Sequence, residues 1–197
     1  MIVGVLLAAG SATRFGGDKL LSELAGGQCI AEVACARLRP AVDRLLAVVR
    51  PESTQLAARL ALAGAEICVF AGADQGMGAS LACGVQQAAG ADGWLIALAD
   101  MPGIATADAL SVAAALRAGA AIAVPTVDGR RGHPVGFAQQ HGAALRALTG
   151  DQGARGILEK NAGGIVEIAA SPAADWRDID TPDDLVRAGF GKSPRRQ

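Results

Sequence analysis

Residues able to do chemistry fall in four short stretches of this chain: a glycine loop with two cations near the start, an aspartate at 100, a histidine at 133, and aspartates at 178 and 180. In the first, an apolar run (Ile2, Val3, Val5, Leu6, Leu7) leads into Ala8-Ala9-Gly10-Ser11-Ala12-Thr13-Arg14-Phe15-Gly16-Gly17-Asp18-Lys19. Small residues let backbone N–H groups come close to a ligand, and glycine reaches φ > 0. Successive N–H groups in such a turn form a concave nest for anionic oxygen. Arg14 adds a planar fork of donors and Lys19 a compact ammonium. A strand, a glycine loop and two cations predict a polyphosphate site. Two familiar phosphate motifs do not describe it. Phe15 and then Gly16 break the spacing G-x-x-x-x-G-K-[ST], and Ser11-Ala12-Thr13 after Gly10 rules out G-x-G-x-x-G.

Asp100 follows Leu95-Ile96-Ala97-Leu98-Ala99, the best strand pattern in the chain, and precedes Met101-Pro102. Ligands of open α/β sheets bind outside the carboxyl ends of strands, so a carboxylate there faces the phosphate loop. Magnesium prefers one or two carboxylates together with substrate phosphates and water. Asp178 or Asp180, in Asp178-Ile179-Asp180-Thr181-Pro182, would supply the second carboxylate, although an aspartate before a helix start is also a common cap. His133 precedes a proline, where a histidine either shapes a loop or meets substrate.

These groups need a frame, and the rest of the chain supplies one. The 197 residues suffice for one domain with a sizeable core. Hydrophobic residues make up 51% but aromatics only 3%, so alanine, leucine and valine must fill the interior. A net charge of -1 argues against a nucleic-acid surface. No apolar run is long enough to span a membrane, and residues 2–9 lack the basic start of a signal peptide. Cys29, Cys35, Cys68 and Cys83 form no C-x-x-C pair, which predicts buried free thiols in a reducing cytoplasm.

Apolar periodicity predicts strands at 2–7, 45–49, 67–70 and 94–99. Helices between them carry Ile30 to Leu38, Leu56 to Ala61 and Leu81 to Ala88. Residues 72–78 read as a loop. The second half is less regular: Thr106 caps a helix carrying Ala109 to Leu116, a strand covers 121–124, and a loop at 130–137 enters another strand. Short helical pieces at 145–148 and 157–158 precede a late strand at 165–169. Thr181-Pro182-Asp183-Asp184 has the cap, proline and acids of a helix start. Alternating strands and helices imply right-handed crossovers and a mostly parallel sheet.

Taken together, Leu7-Ala8-Ala9-Gly10-x-x-x-Arg14-Phe15-Gly16-x-x-Lys19, Gln75-Gly76-Met77-Gly78-Ala79-Ser80-Leu81, Ala99-Asp100-Met101-Pro102, Gly132-His133-Pro134 and Asp178-Ile179-Asp180-Thr181-Pro182 resemble the molybdenum cofactor nucleotidyltransferases. The resemblance spans nearly the whole chain in the same order. It is closer to the cytidylyltransferases than to the guanylyltransferases, which usually have a second glycine where Ala9 stands and lack the Gly76-to-Leu81 pattern. It implies a Rossmann-like three-layer α/β/α fold of glycosyltransferase-A-like type, with residues 1–190 as one nucleotidyltransferase domain and 191–197 as a frayed polar tail. It also implies CTP and molybdopterin as substrates and Mg²⁺, or Mn²⁺ in its place, as metal. Leu7, Ala8, Ala9 and Gly10 would hold the nucleotide, Arg14 and Lys19 its phosphates, and Gly78, Ala79 and Ser80 its base or ribose. Asp100 and Asp180 would hold the metal, with Arg14, Lys19 and Asp100 as the catalytic set. Gly132, His133 and Pro134 would lie on the acceptor side. A molybdoenzyme or its maturation chaperone would receive the product, with neither nucleic acid nor membrane as partner. Other readings are a guanylyl- or sugar-nucleotide transferase, a non-catalytic nucleotide-binding module, and a nicotinamide-dependent oxidoreductase, against which the missing G-x-G-x-x-G counts.

Overall fold

Strand β1 (Ile2–Leu7) is buried at every residue, as a central parallel strand must be. The computed structural model describes residues 1–10, 19–24, 26–179 and 184. Within them β2 (Arg44–Val49) and β4 (Gly93–Leu98) flank β1 in parallel, and β3 (Glu66–Val69) adds to β2. Among the described residues the sheet runs β3-β2-β1-β4-β7-β5-β6, with β7 (Val135–Ala138), β5 (Ile122–Val127) and β6 (Arg130–Arg131); β8 (Ile165–Ala169) pairs with β5 in parallel.

Alternate residues of β1 face opposite cores. Val3, Val5 and Leu7 pack with Leu46, Val48, Ile96, Leu81 and Val85, while Ile2 and Leu6 pack with Leu38, Leu45, Leu95 and Leu116. The second face is covered by α1 (Ile30–Leu38), α2 (Thr54–Leu62) and α4 (Thr106–Arg117). The first is covered by α3 (Met77–Gln87), α5 (Gly142–Arg146) and α6 (Arg155–Lys160). The architecture is the expected three-layer α/β/α. Helix α3 lies very close to the sheet: a Cβ on Gly84 would stand 2.6 Å from Val5 and 2.9 Å from Val48.

Three features depart from the sequence reading. The loop expected at 72–78 ends early, because α3 begins at Met77 and Ser80 N–H already donates to the Gly76 carbonyl. Thr106 is the first residue of α4 and not its cap; the Ala105 carbonyl accepts the first helical N–H groups, from Asp108 and Ala109. The strand expected at 121–124 continues to Val127, since the 128–129 turn folds it back onto β6. The sheet is mostly parallel, as expected, with β7 antiparallel between β4 and β5 and β6 antiparallel to β5. The thiols are free as expected, with Cys29, Cys35 and Cys68 buried, while Cys83 is half-buried with its Sγ 3.6 Å from that of Cys68. The proposed helix start at 181–183 and the 191–197 tail lie outside the described residues. Among the described residues no helix is long and apolar enough to cross a membrane.

Candidate active site

Past the carboxyl end of β1 the backbone keeps its sheet bonds for two residues. Ala99 N–H donates to Leu7 O at 3.0 Å and Ala8 N–H to Val48 O at 2.9 Å. The chain then turns away, and a cleft of about 680 Å³ opens between it and α3, within the range of small-ligand sites. Leu7, Ala9, Gly10, Lys19, Ser80 and Asp100 line it, which brings six of the expected residues onto one wall system. Ala8 stands apart: alternation turns its side chain into the core and its N–H is spent on Val48, so it does not face the cleft.

Lys19 opens a short 3₁₀ turn (Lys19–Leu21) anchored by buried Leu20. Its ammonium lies 2.9 Å from Asp100 Oδ2, with the two side chains 11% and 26% exposed. A half-buried, hydrogen-bonded ion pair at a cleft edge restrains both side chains to fixed rotamers. Arg14 and Asp180 lie outside the described residues.

At the opposite wall, Gly76 caps α3 with φ +105°, a conformation that side chains rarely adopt, and Asp151 and Gly150 leave no room for a Cβ. Gly78 and Ala79 are not on the cleft wall. The Gly78 N–H donates to Gly150 O at 2.7 Å, and a Cβ there would stand 2.7 Å from Thr149 O. Gly78 therefore serves the packing of loop 149–153 over α3, while Gly76, Met77 and Ser80 face the cleft.

The Gly132-His133-Pro134 turn precedes β7, and its antiparallel register (Val135 beside Ile96) carries it along β4 toward Asp100. His133 Nδ1 is 3.4 Å from Ile96 O. Burial pushes the imidazole pKa down, opposed by the Ile96 carbonyl and the charge of Asp100. This turn is not part of the cleft; it lies beyond Asp100, beneath a strap formed by residues 171–179. Ser171 N–H donates to Asp108 Oδ1 at 2.7 Å, Asp175 N–H to Gly103 O at 2.9 Å, and Ile179 N–H to Asp100 O at 3.1 Å. The Trp176 ring lies directly on Gly132. Burial raises the pKa of Asp108, countered by the bond from Ser171.

Several cleft residues were not legible as such. Arg50, Glu52, Ser53, Asp74 and Asp151 line it. Arg50 follows β2 at its carboxyl end, where the sheet-edge rule points, yet Arg50-Pro51 also marks a strand boundary. Asp151 arrives from a loop far along the chain and carries no local signal. Among the described residues no three His, Cys, Asp or Glu side chains converge on a metal position. Asp100 alone, joined by substrate phosphates, still suits Mg²⁺ or Mn²⁺, which accept few protein carboxylates. The Ile179–Asp100 bond brings the Asp178-Ile179 backbone to the same edge.

A model of the MobA-like NTP transferase domain matches residues 4–165. The chain belongs to that family. It is a nucleotidyltransferase, as the resemblance implied. The purine catabolism protein PucB of Bacillus subtilis (strain 168) is 34% identical over 94% of this chain and 96% of its own. The nicotine blue oxidoreductase of Paenarthrobacter nicotinovorans is 29% identical over 94% and 95%. The crystal structure of Rv0371c from Mycobacterium tuberculosis H37Rv superposes with a TM-score of 0.83 at 27% identity, over 95% of this chain and 96% of that one. Its complex with manganese gives 0.78 at 26%, over 95% and 97%.

Proposed function

We propose that this MobA-like transferase moves CMP from CTP to the terminal phosphate of molybdenum-bound molybdopterin, forming the cytosine dinucleotide cofactor and pyrophosphate. The observation that carries this reading is the Lys19–Asp100 pair, 2.9 Å apart, set between the nucleotide-side cleft and the Gly-His-Pro turn. An acceptor phosphate oxygen attacks the α-phosphorus as the bond to the β-phosphate oxygen breaks and pyrophosphate leaves. The nucleophile is already ionised at neutral pH, so no general base is needed. What the site must overcome is an anion approaching an anion, about 4 kcal/mol per unit-charge pair at 4 Å and a surface-like dielectric. Lys19 offsets that charge from the glycine-loop side, and Arg14 is proposed to join it. Asp100, with Asp180, would hold Mg²⁺ or Mn²⁺, which supplies further charge neutralisation at the phosphates; manganese in Rv0371c supports a divalent ion. Preorganised positioning and electrostatics supply the acceleration.

Ala9 on the cleft wall supports CTP, because its methyl narrows the space a purine would need. One methyl discriminates by only about 1–3 kcal/mol, so the remainder falls to polar groups of the 75–80 segment. A second reading, an oxidoreductase, is favoured by the relative named nicotine blue oxidoreductase. One panel separates them: pyrophosphate release with CTP, GTP, ATP and UTP, with and without metal-loaded molybdopterin, beside NADH and NADPH oxidation. CTP-dependent release that requires the acceptor is expected. Preference for GTP would make the protein a guanylyltransferase, and nicotinamide oxidation without nucleotide use would establish the second reading.

A further inference from the structure

Arg50 is the cleft residue with the most specific geometry and no assigned task. It follows the end of β2 and lines the cleft, its side chain 19% exposed. Its Nε donates to the Ala9 carbonyl at 2.8 Å, and its Nη1 to Asp74 Oδ1 at 2.7 Å. The Ala9 oxygen and the Gly10 N–H belong to one planar trans peptide, so they point in opposite directions. Holding the oxygen on Arg50 therefore aims the Gly10 N–H away from it. Gly10 is exposed, and among the described residues a Cβ built on it meets nothing within 4 Å. Among the described residues the Arg50 guanidinium is the side chain that restrains this peptide.

We propose that Arg50 is a positioning residue that orients the Ala9–Gly10 peptide so that the Gly10 N–H is presented to the nucleoside triphosphate. This rests on the nucleotidyl-transfer reading above and deepens it by naming what preorganises the glycine loop. An unrestrained glycine peptide samples both orientations, and the restraint is worth what a well-made hydrogen bond to a buried carbonyl is worth. The positive charge of Arg50 is incidental to the role, being matched by Asp74 at 2.7 Å and Glu52 at 3.6 Å.

Side-chain length separates donor from charge. The amide nitrogen of glutamine stands as many bonds from Cα as arginine Nε, so Arg50→Gln keeps the donor to Ala9 and loses the charge. Arg50→Met keeps the length and loses both, and Arg50→Lys keeps the charge with its nitrogen one atom too far out. Titration calorimetry with Mg·CTP and Mg·GTP, kinetics on whichever is turned over, and amide exchange at Gly10 form the test. For Arg50→Met we expect nucleotide Kd and KM to rise roughly ten-fold, kcat to stay within about three-fold, and Gly10 exchange to accelerate. Arg50→Gln should return all three toward the parent and exceed Arg50→Lys. Arg50→Met matching the parent, or Arg50→Gln as impaired as Arg50→Met while Arg50→Lys is not, overturns the proposal. A parent that binds neither nucleotide removes the nucleotidyl reading itself, and this inference with it.

Discussion

The two sides of Asp100 are built by different means. On the cleft side, parallel strands β1, β2 and β4 end together, and segments that leave them line the cleft. The sheet-edge wall is close in sequence to the strands that hold it: Ala9 and Gly10 follow β1, Arg50 follows β2, Asp100 follows β4, while α3 and Asp151 close the opposite wall. On the far side the wall is assembled from distant chain. Gly132 and His133 arrive on an antiparallel strand, and the strap at 171–179 is pinned to Asp108, Gly103 and Asp100 through three hydrogen bonds. A parallel sheet edge therefore supplies much of the cleft from short segments that follow its strands. The far side is set by long-range tethers and, in the reading proposed above, would meet the acceptor.

The largest effect should come from the residue on the border. Lys19→Ala removes the cation beside Asp100, and we expect turnover to fall by about 10²-fold or more with the melting temperature near that of the parent. A folded variant active at the parent rate would take Lys19 out of the chemistry.

Gly132→Ala strikes the far side alone, because its Cβ would enter the Trp176 ring. The strap must lift, so KM for the acceptor should rise about ten-fold or more while KM for the nucleotide barely moves. A parallel rise in both constants would show that the two sides are one mechanical unit. Gly78→Ala is the mirror experiment. Its methyl would press on Thr149 O at 2.7 Å and Gly150 O at 2.8 Å, which we expect to cost about 1–3 kcal/mol despite alanine's better helix propensity. Urea midpoints measure that cost, and nucleotide KM should worsen while acceptor KM holds.

The smallest effect is one of pH and lies behind the far side. His141 is buried, packed edge-on to Phe137 at 5.9 Å, and burial lowers its pKa from the usual 6.5. As pH falls through about 6.5 the unfolded chain takes up the proton before the folded one, so stability present above that value is lost below it. Both of the 2 histidines are shifted this way. Urea midpoints at pH 7.5 and 5.5 should therefore drop in acid, and His141→Asn should flatten part of the slope; an unchanged slope would mean the imidazole protonates freely in the fold.

The same contrast explains what could be read from the residues. Strands β1, β2 and β4 are apolar runs buried on both faces, and Gly10, Lys19 and Asp100 sit where such strands end, so local pattern and topology agree. Arg50 was hidden because a residue before proline at a strand end also reads as simple punctuation. Asp151, the strap and the antiparallel insertion of β7 depend on contacts between residues far apart in the chain, and no periodicity encodes those. Gly78 matched the family pattern, and its close approach to Gly150 and Thr149 is itself enough to call for glycine, which no local pattern reveals.

In the proposed reaction the α-phosphoryl group and its nucleoside cross from the cleft, past Lys19 and Asp100, to an acceptor phosphate. A single-turnover reaction with CTP labelled at the α-phosphorus and metal-loaded molybdopterin tests this directly. We expect the label in a dinucleotide product, formed in step with unlabelled pyrophosphate and abolished by Lys19→Ala. Label that stays in CTP, or appears only as free CMP whether or not the acceptor is present, would contradict it.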